Sequence, residues 1–64
     1  MIEQQQVVDE KQSLDEKIEK LKNLLDTPTF KALHPIDQDL LFRQLSVMSI
    51  YSEVLRQRTE RFGK

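Results

Sequence analysis

Residues 40–62 read LLFRQLSVMSIYSEVLRQRTERF, and this stretch decides the fold. Its apolar residues recur at helical spacing, with no Gly or Pro to interrupt them. Starting from Pro35, the helix carries Ile36, Leu40, Leu41, Leu45, Val47, Met48, Val54, Leu55 and Phe62 on one side, with Tyr51 among them. At about 100° per residue these cover roughly half the circumference. Phe42 and Ile50 fall outside even that arc. Gln44, Tyr51 and Arg58 recur at heptad spacing, which stacks them along the same side. An amide, a phenol and a guanidinium in one row on a greasy face either set the register of a bundle or line a polar pocket.

Working outward, the spacing predicts a first helix from about Glu3 to Asp26. Val7, Lys11, Leu14, Ile18, Leu21 and Leu25 form its heptad seam. Lys11 stands at a core-type position, where its aliphatic stem can snorkel at an edge. Between the helices, residues 27–35 carry two cap-then-proline pairs, Thr27-Pro28 and His34-Pro35. Each pair marks a helix start. A single turn follows the first, with Phe30 and Leu33 plugging the end of the hairpin. The second opens a helix from about Pro35 to Phe62, with Asp37 and Asp39 in its first turn, where the macrodipole favours acids. Gly63 is the expected terminator.

The expected architecture is therefore all-α: an antiparallel helical hairpin with a short helical connector, one domain over residues 1–64. A chain of 64 residues has little core of its own, and it has no Cys for disulfides. The wide apolar arc exceeds what one partner helix covers, so self-association is the simplest way to bury it. Leu41, Leu45, Met48 and Leu55, at the centre of that arc, are the expected homo-oligomer interface.

A formal net charge of −1 is at odds with non-specific DNA or RNA binding, which calls for a basic surface. No apolar run is long enough to span a membrane, and the expected setting is cytoplasmic. No phosphate-binding glycine loop, zinc spacing or nucleophile–base set stands out, so neither cofactor, metal nor catalysis is expected. Arg56, Arg58, Arg61 and Lys64 gather at the end of the second helix, beside Glu3, Asp9 and Glu10 of the first in a hairpin. That matching accounts for the basic cluster without a ligand.

The stretch from Leu14 to Phe62 resembles a family of small helical proteins of tailed phages, including one named after crAss-like phages. The resemblance rests on Leu14-Asp15-Glu16-Lys17-Ile18-Glu19-Lys20-Leu21, then Phe30 and Leu33. It continues in Asp37-Gln38-Asp39-Leu40-Leu41, Gln44-Leu45, Met48, Tyr51, Leu55 and Arg58. By analogy with the compact oligomeric phage sponges that counter CBASS and Thoeris immunity, it implies sequestration of a cyclic-nucleotide or ADP-ribose-like signal in the host cytoplasm. Gln44, Tyr51, Arg58 and Arg61 would then supply base-edge hydrogen bonding, stacking and phosphate contacts. The competing expectation is a module or inhibitor that binds a host protein, with Phe42 and Ile50 as anchors.

Overall fold

The computed structural model describes residues 2–62, and for Ile2 the backbone alone. Three helices follow in order: α1 (Ile2–Leu25), α2 (Pro28–Lys31) and α3 (Pro35–Glu60). The chain is all-α, a hairpin of two long helices joined by a short helical connector. The expected roles of Gly63 and Lys64 lie outside the described residues.

Both caps form as the sequence requires. The Thr27 hydroxyl accepts from the Phe30 backbone N–H at 3.3 Å and donates to the Leu24 carbonyl at 2.6 Å. It thus ends one helix while starting the next. His34 Nδ1 accepts from the Ile36 N–H at 3.1 Å and starts α3. The Gln38 side chain donates to the Leu33 carbonyl at 2.8 Å, tying the connector to the first turn of α3. Phe30 is buried, and its ring meets that of Phe42 edge-on at 5.4 Å between centroids. Phe42 therefore helps to close the hairpin turn.

Along the rest of the molecule α1 packs against α3. Val7, Ile18 and Leu21 are buried from α1, with Lys11, Leu14 and Leu25 half-buried among them, which is the expected seam. On α3 the protected positions are Gln38, Leu41, Leu45, Met48, Ser52, Leu55, Thr59 and, just past the helix, Phe62. They alternate spacings of three and four, a heptad seam facing α1. Leu55 is fully buried at 0% exposure. The molecule measures 47 × 14 × 14 Å.

Two expectations need correction. Gln44, Tyr51 and Arg58 are all exposed and do not lie in the buried face. Each stands one residue before a seam position, so the row runs along the flank of the seam. The polar residue buried in the α3 seam is Ser52, with Gln38 and Thr59 half-buried toward its two ends. In addition, Leu55, one of the four residues expected at a homo-oligomer interface, is fully buried within the hairpin, whereas Leu41, Leu45 and Met48 are half-buried. Leu55 therefore retains no surface for another chain.

The arc that looked like one broad face on α3 is two stripes. The second comprises Ile36, Leu40, Val47, Ile50 and Val54, which remain 46–67% exposed. It sits roughly 130° around the helix from the seam. Arg43 falls on the same stripe, with its Nε 2.9 Å from Asp39.

Candidate functional site

Gln44, Tyr51 and Arg58 lie on the flank of α3 between its two apolar stripes, and Arg61 follows one turn beyond Arg58. The helix supplies their alignment, since residues seven apart drift only about 20° around its axis. Along the axis they are spread out, roughly 10 Å from one to the next. In a single chain they make an extended row on an open surface.

Tyr51 is the residue that α1 reaches. Its hydroxyl donates to a carboxylate oxygen of Glu10. That hydrogen bond holds the phenol above its ordinary pKa, burial and the Glu10 charge add to the rise, and Arg58 opposes it. The side chain keeps 44% of its surface exposed. A flat ring anchored at its polar tip offers a stacking platform.

The basic residues separate into two kinds. Arg56 is clamped on its own helix by Glu53 and Glu60. Those contacts push its pKa up and pull the Glu53 carboxyl down to about 2. Arg58 and Arg61 make no ion pair among the described residues, and Arg58 lies close enough to Tyr51 to oppose the rise in its pKa. Arg56 is thus engaged by carboxylates of its own helix in a way that Arg58 is not.

A groove of about 580 Å³ lies elsewhere, lined by Val8, Lys11, Gln12, Asp15, Glu16 and Glu19 of α1 and by Thr59. Three carboxylates against one lysine make it a poor seat for phosphate. It contains none of Gln44, Tyr51, Arg58 and Arg61. Among the described residues no cluster of His, Asp or Glu is arranged to hold a metal ion.

A family model, Sequestin, matches residues 3–61. The chain belongs to the Sequestin family. The match spans both long helices and the connector, so it takes in the whole hairpin rather than one leucine-rich segment. The family's name denotes a sequestering role, which is that of a binding protein rather than a catalyst. No curated protein and no solved structure matches the chain. No described helix is long and apolar enough to cross a membrane.

Sequence reasoning missed one cluster, that of Lys11, Asp15 and Ser52 at the seam. Lys11 Nζ donates to Asp15 at 2.6 Å and to the Ser52 hydroxyl at 3.4 Å, and Ser52 donates to the other Asp15 oxygen. The signal was present. A lysine at a core-type position of one helix calls for polar atoms opposite, and Ser52 is the polar residue in the heptad that runs 41, 45, 48, 52, 55.

Proposed function

We propose that this protein is a non-enzymatic, phage-type binding protein that sequesters a cyclic-nucleotide or ADP-ribose-like immune signal and works as a homo-oligomer. The observation that carries this reading is the Sequestin match over residues 3–61. The resemblance to small tailed-phage proteins supports it. So does the chemistry of the flank, where Tyr51 offers a stacking face, Gln44 an amide for a base edge, and Arg58 and Arg61 two cations for phosphate. A sequestering protein needs affinity and no turnover. Groups that bind bases and phosphates suit that task.

Calorimetric titration with a panel of cyclic di- and trinucleotides and cyclic ADP-ribose isomers tests the reading. One member should bind and be recovered unchanged. Arg58→Ala should weaken binding by about ten- to a hundredfold, the loss of a charge-assisted contact worth roughly 1.5–3 kcal/mol, whereas Arg56→Ala should not. The helix should survive, because alanine favours it. No heat from any member, or equal binding by wild type and Arg58→Ala, overturns the reading and favours a module that binds a host protein.

A further inference from the structure

We infer that Glu10 of α1 positions the Tyr51 ring and determines specificity there, directing that end of the row to a base edge with an amino group rather than to phosphate, a role that rests on the nucleotide reading above. Glu10 is an exposed carboxylate with no ion pair among the described residues. The acids near it on α1 are engaged elsewhere. Asp9 accepts from Gln5 at 2.9 Å, and Asp15 is held by Lys11 and Ser52. Glu10 instead accepts from the hydroxyl of Tyr51, 41 residues away on the other long helix.

That contact has two effects. It pins the ring at both ends: the root of Tyr51 belongs to α3, and its tip is held by α1. The side-chain torsions that a surface tyrosine would sweep are thus restricted before any ligand arrives, and a stacking face fixed in advance binds without the cost of ordering it. The contact also sets the polarity of the tip. The hydroxyl commits its proton to Glu10, so toward a ligand the phenol oxygen can only accept. The bond uses one carboxylate oxygen of Glu10, and the other is a further acceptor.

The tip is therefore a pair of acceptors beside a negative charge. A phosphate placed there is repelled, whereas Arg58, whose charge is felt at the phenol, draws it to the other side. A base stacked on Tyr51 and reaching past the hydroxyl brings its edge to Glu10. Adenine and guanine each carry an exocyclic amino donor, which hypoxanthine lacks. A site built from acceptors rejects the analogue without the donor, because its own polar groups are left unpaired. Glu10 and Arg58 together orient one ligand, with the base edge toward α1 and the phosphate along α3.

The test reads the tether and the selectivity separately. Tyr51 is the only tyrosine of the chain and there is no tryptophan, so the ultraviolet absorbance of tyrosinate reports this residue alone. The hydrogen bond to Glu10 holds the phenol above its ordinary value of 10.0. Glu10→Gln should therefore lower the ionisation midpoint, with helical circular dichroism followed over the same range, since glutamine favours a helix about as well as glutamate. An unchanged midpoint overturns the tether and the proposal with it. In calorimetry each amino-bearing ligand is set beside its hypoxanthine counterpart: cyclic di-AMP and cyclic di-GMP beside cyclic di-IMP, and cyclic ADP-ribose beside cyclic inosine diphosphate ribose. Wild type should prefer the amino-bearing member by about ten- to a hundredfold, and Glu10→Gln should lose most of that preference by weakening that member alone. A residue that only braced the helices would weaken both alike. Equal binding of the two by wild type, or a preference unchanged in Glu10→Gln, overturns the selectivity. No binding of any member defeats the nucleotide reading and the selectivity with it, and the tether then stands or falls by the titration.

Discussion

Ser52 on α3 donates its hydroxyl to Asp15 on α1, joining residues 37 apart in sequence across the seam of the hairpin. Lys11 bridges to both, 2.6 Å from Asp15 and 3.4 Å from Ser52. This cluster is the polar element within an otherwise mostly apolar seam. Sliding α1 along α3 by one heptad would part Asp15 and Lys11 from Ser52, so the cluster favours one register, as single polar residues do in coiled coils.

Ser52→Ala and Asp15→Ala should each lower stability by about 1 kcal/mol, the net worth of a partly exposed hydrogen bond. The double variant should lose less than the sum, because the two changes remove the same interaction. Urea titration followed by circular dichroism measures this. Strict additivity would mean that the two side chains do not cooperate in solution.

Stability should fall in acid, and Asp15 should account for part of the fall. The hydrogen bond from Lys11, and then that from Ser52, hold the Asp15 carboxyl below its ordinary value of 3.8. A carboxylate with a depressed folded pKa contributes fully above 3.8 and loses its contribution as pH falls through the lower folded value. Glu53, drawn down to about 2 by Arg56, acts in the same sense within α3. Thermal melts between about pH 5 and pH 2 should show a shallower decline for Asp15→Asn than for wild type. Identical slopes would remove Asp15 from the account.

Leu55→Ala should cost about 2–5 kcal/mol, since the side chain is fully buried and its loss leaves a cavity between the helices. That is comparable to the whole stability of a small domain. Met48→Ala, half-buried on the same seam, should cost visibly less. A melting curve for Leu55→Ala that stays close to wild type would show that the seam is not where the hairpin gets its stability.

The Phe30–Phe42 contact should show a coupling of about 0.5–1.5 kcal/mol in a double-mutant cycle with leucine at each position. Chemical denaturation of the four proteins gives the value. A coupling of zero would mean that Phe42 leaves the turn uncovered in solution.

Much of the fold is legible in the chain because its punctuation is local. Thr27-Pro28 and His34-Pro35 fix both helix starts through their own caps, and the α1 seam from Val7 to Leu25 repeats without rival. The rotation of α3 was harder to read, for a physical reason. Its inner stripe includes Ser52 and Thr59, while its outer stripe includes Ile36, Val47, Ile50 and Val54. Hydrophobicity alone therefore merges the two and shifts the apparent centre toward the outer one. Gln44, Tyr51 and Arg58 then looked buried, although each stands one residue away from the seam. Only the partner helix, with Lys11 and Asp15 opposite Ser52, settles which stripe faces inward.

The dimensions of 47 × 14 × 14 Å have a consequence for how the chain moves through solvent. Its radius of gyration is 14.8 Å, against about 11 Å for a compact sphere-like domain of this length. A rod of that shape meets more friction than its mass implies. On a size-exclusion column calibrated with round proteins, a lone hairpin would elute early and pass for a pair. A side-by-side pair, about twice as thick for little or no added length, would be less elongated. Diffusion and elution therefore report length more than stoichiometry for this molecule, and counting its copies calls for a method indifferent to shape.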